Sequence, residues 1–246
     1  VPPVVEDPVL NWDLGPPRRV RTATVIVIAV AVAVVAIVVT VGMSRGVEAT
    51  STSTPTPTPT AIALAQPLAY EGEAGYPISF PHTELGAASA AAAALEAAWT
   101  LDDAQAEQAA ALYAPPEQRK AASDGARAAV SGWRETLGLP KEGKLPEGAS
   151  LRTQTIGVQW RARAQDQIQV SVLVQVTATT GAGADGKTYS SPYAMTLLMA
   201  WYPGVRGDNQ GDWVNIPDPT PPTVPQTALP GTPEFTAAGW KPLKTP

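Results

Sequence analysis

The sequence predicts an α+β domain carried behind a single transmembrane helix. Three observations carry that expectation. Residues 22–43 form an uncharged apolar run, and the prolines, 26 in a chain of 246 residues, crowd the two ends and leave one central stretch able to build a core. Within that stretch the apolar period changes from 3.6 to 2 at about residue 150.

Residues 1–21, "VPPVVEDPVLNWDLGPPRRVR", are too short and proline-rich to fold and read as a disordered cytoplasmic tail. Val9, Leu10, Trp12 and Leu14 form an apolar cluster of the kind that docks as a short linear motif; the plainer reading puts Trp12 and the arginines at the membrane interface. The run "TATVIVIAVAVAVVAIVVTVGM" (22–43) matches a hydrocarbon core of roughly 30 Å at ~1.5 Å rise per residue. Its valines favour strands in water, but in lipid only a helix satisfies its own backbone, so a transmembrane helix is expected. "RRVR" (18–21) precedes the run and only Arg45 follows it closely, which places the N-terminus in the cytoplasm and the rest of the chain outside it. A cleaved signal peptide is the rival reading, but the run is longer than a usual signal core.

Residues 44–75 read as an extracytoplasmic linker, its "TSTSTPTPTPT" favouring extended polyproline II. Residues 76–216 are the expected folded domain. Leu85, Ala88, Ala92, Leu95 and Trp99 share one helical face, with Thr83 as N-cap and Glu84 in the first turn. A second helix fits 102–114. A third opens at Pro115–Pro116, runs past Ala122, Ala126, Val130, Trp133 and Leu137, and stops at Gly138. Ile156, Val158, Trp160 and Ala162 then alternate with Gly157, Gln159, Arg161 and Arg163. After the turn "AQDQ", Ile168 to Val176 alternate with Gln169, Ser171, Leu173 and Gln175, giving a hairpin with one apolar face. Further strands are expected at 191–203 and 211–217. Residues 217–246 read as a proline-rich disordered tail in which Phe235 and Trp240 either pack back on the domain or serve as a ligand for something else.

The function classes narrow quickly. A net charge of −5 argues against direct nucleic acid binding, and the absence of cysteine excludes disulfides, thiolate metal sites and cysteine nucleophiles. The single histidine, His82, has Glu84 nearby but no Gly-x-Ser-x-Gly elbow, and no Asp/Glu/His cluster has metal-ligand spacing. His82 is therefore expected to fix the lead-in to the first helix. No catalytic, cofactor-binding or metal residue is nominated. "GAGADGKT" matches the phosphate-loop pattern through Gly181, Gly186, Lys187 and Thr188, but a strand rather than a helix should follow it, so a hairpin connection is expected. On the apolar strand face Tyr193 is the main polar handle. The face bearing Arg161, Arg163, Gln159, Gln167 and Gln169 suits subunit contacts or, by preference, solvent.

Three helices followed by an antiparallel meander ending in Gly211-Asp212-Trp213 resemble the cone fold shared by nuclear transport factor and ketosteroid isomerase. Adding "RRVR", one membrane helix, the Thr/Pro stalk and "GYPISFPHTELGAASAAAAALEA" (75–97), the chain is similar in layout to small bitopic membrane proteins of actinobacterial integrative conjugative elements, TcpC-like inner-membrane assembly subunits of type IV secretion channels. That resemblance implies a non-catalytic scaffold, not an enzyme, with its outer domain beyond the cytoplasmic membrane. Its partners would be the membrane, other channel subunits and other copies of itself. The alternative is an extracytoplasmic module that binds a lipid or other apolar ligand beside a transporter.

Overall fold

The computed structural model describes residues 60–244 apart from 185, 208 and 221, so the expected tail, transmembrane helix and most of the stalk lie outside the described residues. Among the described residues no helix is long and apolar enough to cross a membrane. What is described is a mixed α+β fold: three helices on one face of a curved antiparallel sheet of five strands, and a short fourth on the other.

A short hairpin, β1 (Ala69–Glu71) with β2 (Tyr76–Ile78), leads into three helices: α1 (Glu84–Ala98), α2 (Asp103–Leu112) and, after a 3-10 turn at Pro116–Gln118, α3 (Arg119–Thr136). The expected cap at Thr83 forms, and Asp102 caps the second helix as well. Thr83 Oγ1 accepts the Gly86 N–H at 3.0 Å and Asp102 Oδ1 accepts that of Gln105 at 2.9 Å, each satisfying an amide that a helix start leaves open. Strands β3 (Ala149–Ala164), β4 (Gln167–Thr180), β5 (Thr188–Tyr202) and β6 (Asp212–Ile216) follow as a meander. The sheet order is β6-β5-β4-β3-β7, where β7 (Lys241–Pro242) comes from the far C-terminus.

Three expectations need correction. Helix α1 does not bury a single stripe: Gly86 to Ala92, Ala94 and Leu95 are all buried, so the helix is enclosed nearly all round. Its alanines let the sheet, α2 and the chain at 60–65 approach closely, and Ser89 Oγ accepts the Ala65 N–H at 2.8 Å.

The second correction concerns the face of Ile156. A bulge between Thr155 and Gly157 leaves Ile156 unpaired, so Thr155 and Val158 both turn toward the helices while Ile156 joins Leu173 on the other face. Strict alternation cannot anticipate an inserted residue. The bulge is held by α1, because Glu96 Oε1 accepts the Thr155 N–H at 2.7 Å.

Third, residues 217–246 are not a plain disordered tail, and the fold is not confined to 76–216. Upstream, Ile62 bridges Leu243 in parallel. Downstream, α4 (Pro233–Ala237) lies on the outer face of the sheet and β7 extends the β3 edge, with Phe235 and Trp240 each 1% exposed against Leu173 and Ile156. Proline-rich composition disfavours regular structure but does not prevent two aromatic rings from burying. The face expected to be hydrated is accordingly partly covered. Gln169 is buried and donates to Asp218 Oδ2 at 2.9 Å, Arg161 Nε donates to Gln169 Oε1 at 2.6 Å, and Gln159 Nε2 donates to the Ala238 carbonyl at 3.0 Å.

Truncating such a ring in a core typically costs about 3–5 kcal/mol. Phe235→Ala should therefore lower the stability by about that amount in urea unfolding. An unchanged midpoint would mean that the C-terminal segment contributes nothing to the fold.

Candidate functional site

The lead-in "SFPHTELG" (79–86) is built around hydrogen bonds. Asp212, whose side chain is 1% exposed, accepts four: Phe80 N at 3.0 Å and Trp213 N at 2.9 Å on Oδ1, Ser79 N at 2.8 Å and Arg206 Nε at 2.9 Å on Oδ2. Arg206 also donates through Nη1 to the Leu112 carbonyl at 2.9 Å, tying the end of α2 to the same point. Ser79 is held at φ +60°, a conformation that costs free energy for a residue with a side chain and is sustained here by its bond to the carboxylate. Next, the Pro81 carbonyl accepts Thr83 N at 2.8 Å and Trp213 Nε1 at 2.9 Å. It lies so close to α1 that a Cβ on Gly86 would sit 1.9 Å from the oxygen. Only glycine fits there.

His82 closes this corner. Its Nε2 is 2.8 Å from Asp166 Oδ1 in the β3–β4 turn, and its ring stacks on Trp201 at 4.0 Å and meets the edge of Trp213 at 5.5 Å. Glu84, the carboxylate nearest in sequence, instead accepts a hydrogen bond from Trp160 Nε1 at 3.0 Å. His82 thus joins the start of α1 to the far turn of the sheet. Gly211 makes room for this stack, since a Cβ there would lie 2.6 Å from the Trp201 ring. Among the described residues no group of three or more histidine or carboxylate side chains is gathered as a metal site.

The phosphate-loop match resolves as the β4–β5 hairpin. Thr180 N donates to the Lys187 carbonyl at 3.0 Å and Lys187 N to Thr180 Oγ1 at 3.1 Å, and β5 follows at once. A Cβ on Gly186 would be 2.1 Å from the Gly181 carbonyl oxygen, so the loop is closed on itself.

The space between helices and sheet is filled: Val158, Val170, Val172, Val174 and Met199 are fully buried there. At one margin, however, the packing stays incomplete. Strand β6 pairs only with Leu198–Tyr202, so among the described residues β5 from 188 to 197 has β4 on one side and no strand on the other. The Thr180–Lys187 bond sets the parity: odd-numbered residues of β5 bond to β4, and the backbone of Ser190, Pro192, Ala194 and Thr196 faces the open edge. Pro192, with no N–H, interrupts that edge, a common guard against indiscriminate strand pairing.

The inward side chains beside this edge are half-buried. Tyr193, Met195 and Leu197 lie along β5, and the Tyr193 ring meets Trp99 at 5.9 Å and Trp133 at 5.8 Å, while the two indoles are 5.5 Å apart. Burial pushes the Tyr193 phenol above its ordinary range. Three large aromatics with a methionine at a margin form an apolar patch of the composition found at the centres of protein interfaces. In the sequence, Trp99 and Trp133 fall on helix faces and Tyr193 reads as a polar handle. The available signal was the disparity between a long β5 and a short β6, which leaves part of an edge bare.

Comparison with known proteins yields no matching family model, no similar curated protein and no similar solved structure.

Beneath the Asp212 corner, Tyr113 is buried, donates to the Pro77 carbonyl at 2.7 Å and accepts Asn215 N on its own carbonyl at 2.7 Å. Burial pushes its phenol far above the ordinary range. An unfolded tyrosine ionises near about 10. Above that pH the unfolded chain releases a proton the folded chain keeps, so stability should fall as pH rises. Urea midpoints followed through the alkaline range should drop less steeply in Tyr113→Phe than in the parent; equal slopes would contradict this placement.

Proposed function

We propose that the chain is a membrane-anchored, non-catalytic assembly subunit of a conjugative, type IV secretion-like DNA-transfer apparatus. In this reading residues 22–43 cross the cytoplasmic membrane, the N-terminus stays in the cytoplasm, and a Thr/Pro stalk carries the α+β domain outside. The helices and sheet correspond to the cone of the nuclear-transport-factor class, used for contact and not for chemistry. The observation that carries the reading is the margin of β5, where Trp99, Trp133, Tyr193 and Met195 are half-buried beside a strand edge that no other described strand pairs. A filled interior with an apolar margin suits the docking of another subunit better than the enclosure of a substrate. The conjugative setting rests on the layout of the chain, from "RRVR" through the stalk to "PHTELG".

A second reading, a binding module for a lipid or other apolar ligand, draws on the same three aromatic rings, which such a ligand would contact.

The test is recovery of the tagged full-length chain from membranes, with co-purifying proteins and bound small molecules identified by mass spectrometry. Other channel subunits should be present, and Trp133→Ala with Tyr193→Ala should reduce them about tenfold, the effect expected when interface aromatics are truncated. Recovery in the soluble fraction, or undiminished partners in the double variant, would contradict the proposal. A monomer carrying a lipid-sized mass that the same substitutions remove would favour the second reading.

A further inference from the structure

The outer face of the sheet carries a socket. Along β4 the outward residues are Gln169, Ser171, Leu173, Gln175 and Thr177, and Leu173 in their midst is completely buried. Its surroundings are shaped for aromatic rings. The bulge turns Ile156 to this side, and Gly157 offers no side chain where a Cβ would lie 3.0 Å from the ring of Phe235. The socket thus exists because one strand has an extra residue and a glycine at adjoining positions.

What fills it is a plug with its own internal structure. Thr232 Oγ1 caps α4 by accepting Phe235 N at 3.2 Å and Trp240 N donates to the Phe235 carbonyl at 3.2 Å, while Trp240 Nε1 reaches back to the Gln226 carbonyl in the connection at 2.8 Å. Most of its hydrogen bonds therefore travel with it. Its polar attachments to the rest of the domain are Gln159 to Ala238, the two-residue pairing of β7 with Gly157 and Val158, Lys241 Nζ 4.6 Å over the Trp160 ring, and two backbone hydrogen bonds with Ile62, from Ile62 N to the Pro242 carbonyl at 2.9 Å and from Lys244 N to the Ile62 carbonyl at 2.8 Å.

The connection to the sheet is long and irregular. The described residues of 217–232 hold no helix or strand, and the stretch includes Pro217, Pro219, Pro222, Pro225 and Pro230. Asp218 fixes its start, 2.9 Å from Gln169 Nε2 and 3.6 Å from an Arg163 Nη atom, so any hinge lies beyond that point. In an extended proline-rich conformation at ~3.1 Å per residue, the connection from 219 to 227 has a reach of roughly 28 Å, enough to cross to a molecule packed alongside.

We propose that the plug, residues 228–244, exchanges between copies, so that the outer face of the sheet is the interface of a reciprocal dimer. The occupant is a second copy of this chain because the bulge, Gly157 and Leu173 are matched to Phe235 and Trp240. Closed and exchanged forms make the same socket contacts, so local concentration and the connection decide between them. Exchange also sets Leu243 of one copy against Ile62 of the other, beside the point where the stalk meets the domain. The inference goes beyond the proposed function and does not depend on membrane anchoring.

The chain has no cysteine, so single cysteines report contacts cleanly. Full-length Gln159→Cys and Ala238→Cys variants, differently tagged and co-expressed, are treated with a short bis-maleimide. Exchange gives a Q159C–A238C cross-linked dimer about tenfold above the Q159C–Q159C product, because only an exchanged plug brings the two positions together. The variant carrying both cysteines should also form an internal link, which verifies that the substituted chains fold and seat the plug. Internal links alone, with no mixed dimer at any expression level, overturn the proposal. So does capture of Q159C by a protein other than this chain.

Discussion

The fold depends on one buried ion pair. Asp212 and Arg206 have side chains 1% and 4% exposed, and between them they collect the ends of four segments: the end of α2, the strained turn after β2, the β5–β6 connection and the start of β6. Burying two charges is costly, and the mutual attraction offsets that cost only when the remaining valences are also satisfied. Asp212 meets the condition with three backbone amides besides Arg206, while Arg206 leaves Nη2 buried without a partner. The pair therefore specifies a geometry more than it adds stability. It fixes where the chain leaves β2, and so where α1 must begin.

From that point α1 crosses the sheet as an alanine-rich rod that neighbours approach on nearly every side. Its N-terminal end meets the His82–Trp201–Trp213 stack, and its C-terminal end delivers Trp99 to the open margin of β5. The two faces of the sheet then differ in kind. The inner face is closed by the chain's helices, whereas the outer face is closed by a C-terminal plug on a proline-rich connection. At the edge between them, Trp99, Trp133 and Tyr193 stay half-buried.

Much of this was legible in the sequence because local rules and tertiary packing agreed. Thr83 caps the first helix where its side chain suits the role, and the change of period at about residue 150 marks the passage to strands. The hairpin nature of "GAGADGKT" followed from the strand behind it. What escaped was set by residues distant in sequence. The side of Ile156 depends on a bulge pinned by Glu96, and the burial of Leu173 depends on Phe235, which lies in a segment whose prolines suggest disorder. The carboxylate beside His82 proved to be Asp166, across the sheet, and no local pattern announces such a pairing. The margin at Trp99, Trp133 and Tyr193 exists only because β6 is short, a fact about strand lengths that side-chain alternation does not reveal.

The central role of the Asp212 pair is tested most directly by Asp212→Asn, with stability followed in urea and amide hydrogen exchange followed at Ser79, Phe80 and Trp213. Neutralising the carboxylate leaves Arg206 as an uncompensated buried charge, and a loss of about 3–5 kcal/mol is expected. Protection at the three amides should fall further than at β4. A loss under about 1 kcal/mol, with those amides as protected as before, would show that the lead-in to α1 is held by something else.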